Sequence, residues 1–323
     1  MSGETAGLNL PVSRSIDADA PVFRTYYVWP RFPSISITGE ACALSCIHCD
    51  KHYLKYLTPA TTPSKLEELG ANLVKEGRAD GVLVSGGCDA KGGMLNLPKF
   101  LPALRKLHDM GLIIKLHTGL VDEELARGIA KAGVDIASME FVGSAETIRE
   151  IFGIDATPED YARTFALLRD AGVPHIAPHI AVGLHYGELK GEKNALEILR
   201  ETIEPSTIAL IAFRPTRGTR LESCKPPSAA AMAEVSSYAR KLFPETKIIL
   251  GALRPRGSEG GNAREAREAL ELAALKGGIS GVEVPSSNML REIRAMGYRI
   301  KRIEAYGVLP VEYEERAKWR WDD

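Results

Sequence analysis

The stretch IIKLHTGLVDEELARGIAKAGVDIASM, residues 113–139, decides the fold. It opens on a short apolar run, Ile113–His117, of the composition that suits a buried strand. Glu123–Ala132 then carries apolar residues at helical spacing, and Gly133 stands where a helix should stop. A second apolar run, Asp135–Met139, follows. Two strands joined through a helix are parallel, because a crossover of that length is what parallel pairing requires.

Working outward, the same unit recurs along the whole chain. Candidate strands are Ser34–Thr38, Gly81–Ser85, Ile113–His117, Asp135–Met139, His179–Gly183, Ile208–Phe213, Ile248–Gly251 and Gly281–Val284. Candidate helices are Pro63–Glu76, Leu97–Met110, Glu123–Ala132, Pro158–Ala171, Glu192–Glu201, Ala229–Leu242, Ala263–Lys276 and Ser287–Met296. Thr62-Pro63 and Thr157-Pro158 place a cap before a first-turn proline, and Gly111 and Gly172 mark helix ends. The strands read as near-continuous apolar runs, as when both faces of a parallel sheet are covered. Repeated strand–helix units predict an α/β fold, a (β/α)8 barrel of residues 32–297. A doubly wound open sheet is the alternative. Residues 1–31 read as an irregular N-terminal arm, and 298–323 as a C-terminal extension covering one end.

The 323 residues are 45% apolar and 26% charged, with a formal net charge of −1. That composition supports a large soluble core and gives no basic excess for nucleic acid. The first residues lack an apolar segment of signal-peptide length, and no run is long enough to span a membrane. The five cysteines are clustered and odd in number, unlike a secreted disulfide framework. A reducing cytoplasm is the expected compartment.

Three of those cysteines, Cys42, Cys46 and Cys49, lie in GEACALSCIHCDKHY, residues 39–53, just after the first candidate strand. Loops after strand C-termini build the ligand site of a parallel α/β fold. Thiolates at C-x3-C-x2-C spacing in one compact loop can wrap a corner of an iron–sulfur cube. Three ligands on a four-iron cube leave one iron free for chemistry, as a catalytic zinc keeps one position open. The same thiols with His48, His52 or Cys88 are also the donors of a structural zinc site, which would make the chain a non-enzymatic scaffold.

CALSCIHC resembles the signature of the radical S-adenosylmethionine (SAM) superfamily. The resemblance implies a [4Fe–4S] cluster on Cys42, Cys46 and Cys49 whose fourth iron chelates SAM. One electron then cleaves SAM to a 5′-deoxyadenosyl radical that abstracts hydrogen. His48 stands where the family usually has an aromatic residue near adenine. Ser85-Gly86-Gly87-Cys88 resembles the family's Gly-Gly-Glu turn, whose backbone meets the SAM amino group, with Cys88 at the acidic position. Ser138 and Glu140 alternate onto one strand face, where the resemblance implies contact with SAM. The run from His179 to Glu188 resembles the segment that passes adenine and implicates Gly183 and His185. Segment 212–219 is similar to one in biotin-synthase-like members. Matching regions extend from about Pro33 to Pro285.

Cys88 and Cys224 both fall in loops expected to open on the same end of the barrel, which makes them candidates for a second cluster or a sulfur site. Two isolated cysteines are the alternative. His117 and His179 are candidate substrate residues or non-cysteine ligands. Arg214, Arg217, Arg254 and Arg256 follow strands six and seven, where arginines can grip a carboxylate. Solvated loop charge is the other reading. Within the superfamily the chain resembles the biotin-synthase-related group, above all the two-protein lipoyl synthases of archaea. That resemblance implies sulfur insertion into an octanoyl chain on a carrier protein, with a low-potential electron donor and a second radical SAM protein as partners. Sensitivity to oxygen is a further expectation, because an iron with an open coordination site is exposed to oxidants. The alternative is a mutase or a carbon–carbon-forming enzyme acting on a small carboxylated metabolite.

Overall fold

The computed structural model describes residues 20–255 and 263–320. Arg256, the first nineteen residues of the expected arm and 321–323 lie outside the described residues. The strands are β1 Val22–Tyr26, β2 Ser34–Ser36, β3 Thr58–Pro59, β4 Gly81–Ser85, β5 Ile113–His117, β6 Ile136–Glu140, β7 His175–Val182, β8 Thr207–Ala212, β9 Lys247–Leu250, β10 Gly281–Glu283 and β11 Arg299–Ile303. They form one 11-stranded sheet in the order β11-β1-β10-β9-β8-β7-β6-β5-β4-β2-β3. Neighbouring strands pair parallel throughout, as the registers of β4–β5, β6–β7 and β8–β9 exemplify.

From β4 to β10 the order follows the chain without reversal. A doubly wound sheet needs a point where the order reverses, so that alternative is excluded. The sheet curls into a barrel-like wall. Tyr26 of β1, Ile113 of β5, Ile136 of β6, Ala177 of β7, Ala209 of β8, Ile249 of β9 and Ile303 of β11 meet in one buried cluster. Side chains from strands so far apart in the sheet can touch only if it bends round on itself. The end strands β11 and β3 are not hydrogen-bonded to each other.

Helices wrap the outer face. Those at Pro63–Lys75, Leu97–Asp109, Pro158–Asp170 and Ala229–Leu242 bury leucines, phenylalanines, valine and methionine against the sheet. Their starts are built as the sequence implies. The Thr62 side chain accepts from the Lys65 amide, and Asp122 accepts from the Leu125 amide at the head of Glu123–Lys131.

Two segments differ from the sequence reading. Val22–Tyr26, taken as part of an irregular arm, is a strand between β10 and β11. Arg299–Ile303, taken as part of an extension, is the strand beyond it. Beyond β11 the chain runs under the N-terminal ends of the strands. Tyr313 donates to Asp135 (3.1 Å), Arg320 pairs with Asp80 (2.7 Å), and Lys247 donates to the Leu309 carbonyl. With that end covered, the C-terminal ends of the strands form the mouth.

Among the described residues no helix is long and apolar enough to cross a membrane.

Candidate active site

The mouth holds a cavity of about 310 Å³. Cys42, Cys46 and Cys49 form part of its wall, with Ser85, Gly86, Gly87 and Cys88 beside them. The cysteine loop leaves β2 and is anchored at both flanks. The Ala43 amide donates to the Cys88 carbonyl (2.8 Å), and the Ile47 amide donates to the Ile151 carbonyl in the wide helical turn Ile148–Phe152. Asp50 and Lys51 then take positive φ, 41° and 63°, which turns the chain sharply into the short helix His52–Tyr56.

The two glycines of the β4 turn have a steric reason. A Cβ on Gly87 would lie 2.1 Å from the Ala41 carbonyl oxygen and 2.5 Å from the Cys42 Cβ. The Gly87 amide donates to Thr38 Oγ1 (2.8 Å), and the Cys88 amide donates to the Cys42 sulfur (3.2 Å). The turn is thus packed backbone-first against the first cysteine.

All five cysteines are free thiols. Burial, reinforced by the neighbouring cysteines, pushes Cys46 up to about 12; burial and the nearby Cys42 and Glu140 do the same for Cys88. Such thiols ionise when a cationic metal centre supplies the compensating charge. Among the described residues, no set of three His, Cys, Asp or Glu donors that includes a cysteine lies within 4.8 Å of one another. A single tetrahedral zinc with Zn–S bonds of about 2.3 Å would draw its sulfurs within about 4 Å. The three thiols are therefore not gathered as around a single ion, and three cysteines beside an open cavity could hold a three-cysteine cube.

His48 is half-buried, its ring edge-on to Phe152 at 5.1 Å. Burial lowers it to about 4, and its buried Nδ1 has no partner in the protein. Glu140 and His117 also line the cavity, joined at 2.9 Å. Burial alone would raise the Glu140 carboxyl, but His117 and His179 outweigh it and hold it below the usual carboxylate range. Arg214 lines the cavity at the end of β8.

Other expected residues stand elsewhere. Ser138 lies one layer deeper, fully buried, 3.4 Å from the Leu116 carbonyl. Gly183 does not line the cavity; it turns the chain at φ 73°, and its amide donates to Glu192. His185 is outside too, beside Thr147 and Tyr186. Cys224 packs against the core and does not line the cavity with Cys88. Arg254 is 2% exposed and spends its donors on Glu271 and on the carbonyls of Gly251, Glu283 and Val284. It is a structural clamp, with each nitrogen of its guanidinium already engaged inside the protein.

The sequence reading missed the apolar lining: Met94, Leu120, Ile154, Leu184, Phe213 and Leu253. No motif carries these positions. It also missed Lys115, fully buried below His117 with its ammonium 4.4 Å from the Tyr306 ring centre. Alternation from His117 would have found it.

A parallel barrel with an open-ended trio of thiols at its mouth defines an enzyme that holds an iron–sulfur cluster for chemistry rather than for structure. The Radical SAM superfamily model matches residues 36–201, just over half of the 323 residues, and the chain belongs to that superfamily. Its members bind a [4Fe–4S] cluster and SAM, and require a reductant. A biotin synthase of Coxiella burnetii is 26% identical over 162 residues, 49% of this chain and 49% of the relative. One from Pseudomonas fluorescens is 24% identical over 231 residues, covering 68% of this chain and 63% of the relative. The chain thus spans between about half and two thirds of the length of these relatives. Among solved structures, methylornithine synthase (PylB) superposes with a TM-score of 0.57 at 15% identity, over 87% of this chain and 84% of that one. The FeFe-hydrogenase maturase HydG from Carboxydothermus hydrogenoformans gives 0.59 at 12% identity, over 91% and 70%. These two superpositions speak for the fold alone.

Proposed function

We propose that this enzyme functionalises an unactivated C–H bond of a largely apolar, acyl-like substrate by inserting sulfur. Cys42, Cys46 and Cys49 would hold the cluster. When bound, the cluster and SAM supply a hydrogen-abstracting radical, which an unactivated C–H bond requires because it has no acidity for a base to use. The protein's own part is to orient and to exclude water. Gly86 and Gly87 present bare backbone beside Cys42, and His48 closes the cavity wall behind the loop. Leucine, methionine, isoleucine and phenylalanine side chains line much of the remaining space, so a methylene chain loses water against apolar surface there.

The observation that carries the reading is this apolar cavity opening directly beside the thiols. An octanoyl chain on a carrier protein, with a second radical SAM protein as partner, is the substrate arrangement we favour. The test is an anaerobic assay of reconstituted protein with octanoylated carrier protein and reductant. A product mass gain from sulfur supports the reading. Formation of 5′-deoxyadenosine with unchanged carrier, across candidate partners, overturns it.

A second reading, rearrangement of a small carboxylated metabolite, is favoured by one observation: Arg214 reaches the cavity wall. Loss of Arg254 to the core removes one of the further arginines that reading would use.

A further inference from the structure

Side chains of three neighbouring strands converge inside the barrel, among them Glu140, for which the resemblance implies contact with SAM. His117 ends β5, Glu140 ends β6, and His179 lies in β7. One donor atom from each falls within 4.8 Å of the other two. Register brings them together: Glu140 pairs directly with His179, and His117 pairs with Ser138, one inward-facing step below Glu140. His117 Nε2 and Glu140 Oε2 are 2.9 Å apart. The His117 and His179 rings stand 5.4 Å apart at 80°, edge to face, so neither covers the other's nitrogens by stacking. His179 Nε2 is buried and has no hydrogen-bond partner in the protein. A buried ring nitrogen in that condition is the exception in folded proteins, and it points to a ligand that the protein atoms do not supply.

We propose that His117, Glu140 and His179 bind one divalent transition-metal ion, with its remaining positions open to the cavity. Two imidazoles and one carboxylate on one side of an ion are the donors that suit Fe²⁺, Co²⁺ or Zn²⁺; magnesium and calcium prefer all-oxygen sites. His117 and Glu140 face the cavity, so the open positions face the space a substrate enters. The class of ligand taken there is a substrate oxygen or sulfur donor, such as a carboxylate or a thiolate.

Burial, with the Lys115 ammonium adding to it, lowers the His179 imidazole from its ordinary value, the direction that favours the neutral, metal-binding form. The Lys115 charge rests on the Tyr306 ring, below the trio. Another group of donors, Glu146, Glu150 and His185, lacks these features: Glu150 is exposed, and Glu146 is engaged by Lys190 at 2.5 Å. The proposed site does not depend on sulfur insertion or on SAM cleavage.

Cobalt(II) is the probe. Anaerobically reconstituted, chelator-washed protein is titrated with Co²⁺ and followed by visible absorption and by metal counting. We expect one equivalent per chain beyond the cluster metal, with d–d bands and no sulfur-to-cobalt charge transfer. His117→Ala and His179→Ala should each weaken binding by about a hundredfold or more, since loss of an outer-sphere partner alone costs ten- to a hundredfold. His185→Ala should bind as wild type does. Glu140→Gln, which keeps the side-chain shape, should also bind weakly, and near-ultraviolet circular dichroism checks that it is folded. Absence of nitrogen- and oxygen-ligated cobalt in the wild-type protein overturns the proposal. So does undiminished binding in the folded Glu140→Gln protein. Because the readout is cobalt, failure here is distinct from failure of the radical chemistry.

Discussion

Replacing Gly87 by alanine adds a single methyl group, and the structure says where it goes. The new Cβ would sit 2.1 Å from the Ala41 carbonyl oxygen, 2.5 Å from the Cys42 Cβ and 2.7 Å from the Cys42 Cα. Two of those three atoms are main chain, and the third is fixed to it, so no rotamer change relieves the overlap. The cysteine loop and the β4 turn must part by about 1 Å to restore ordinary contact. Overpacking of this kind costs about 1–3 kcal/mol in a packed core, which a fold of this size survives. The site is less tolerant: displacing a reacting arrangement by about 1 Å costs about a hundredfold in rate. The hydrogen bond from the Cys88 amide to the Cys42 sulfur would also lengthen from its 3.2 Å. We therefore expect Gly87→Ala to melt a few degrees lower, while 5′-deoxyadenosine formation falls about a hundredfold. Gly86→Ala is the control. Its Cβ would meet the Thr38 methyl at 2.8 Å, and a threonine side chain can rotate at the expense of its bond to the Gly87 amide. That costs about 1 kcal/mol. The assay is anaerobic reconstitution, iron and sulfide per chain, and chromatographic 5′-deoxyadenosine. Gly87→Ala activity within threefold of wild type, or equal damage from Gly86→Ala, would refute the reasoning.

Cys42→Ala, Cys46→Ala and Cys49→Ala should each abolish 5′-deoxyadenosine formation after reconstitution; near-wild-type yield from any one of them sinks the cluster assignment. Cys224→Ala should leave both iron content and 5′-deoxyadenosine within about twofold of wild type, because its thiol does not reach the cavity; loss of iron in that variant would restore a second cluster. Arg254→Met should destabilise the fold by about 3 kcal/mol in denaturant melts, the low end for breaking a buried pair, since Arg267 still holds Glu271 at 2.8 Å. A melt within 1 kcal/mol of wild type would refute the clamp. Acid stability should depend on Asp80. Burial raises its carboxyl, but hydrogen bonds and charge from Arg31 and Arg320 outweigh this and hold it below its ordinary value. The stabilisation is thus full above the unfolded carboxyl's pKa of about 3.9 and is lost as pH falls through the folded value. Asp80→Asn should flatten that part of the stability–pH curve, and an unchanged acid limb would count against it.

What was legible in the sequence, and what was not, follows from which forces act locally. Buried parallel strands announce themselves as apolar runs, so the eight central strands could be read within a residue or a few at each end. β1 and β11 lie at one end of the sheet, where Arg24, Arg299, Lys301 and Arg302 keep part of their surface exposed. RIKRI and VFRTY therefore alternate like any exposed segment, and only pairing with β10 and with each other makes them strands. The thiol loop was legible because all its chemistry lies within a few residues of one segment. Arg254 was misread for the opposite reason. Its partner Glu271 is on the next helix, and nothing local tells a clamped arginine from a substrate arginine.

The barrel interior gives the sharper case. Alternation places Ile113, Lys115 and His117 on one inward face and Ile136, Ser138 and Glu140 on the next. The sequence could thus say that Ser138 and Glu140 look inward, but not at what height. Height is set by the stagger between strands. The registers His117 with Ser138 and Glu140 with His179 raise Glu140 to the cavity and leave Ser138 a layer below it. That stagger also carries His179 up beside Glu140. A barrel layer is filled by residues from separate strands, so its chemistry is a property of strand offset. Insertion of one residue in the turn before β7 at Gly172–Pro174 would test this. Such a shift that moved β7 by one step would turn His179 outward, and the His117–Glu140 pair should survive while cobalt uptake is lost. Retained uptake would mean that His179 is not a ligand and that the offset argument fails at its most specific point.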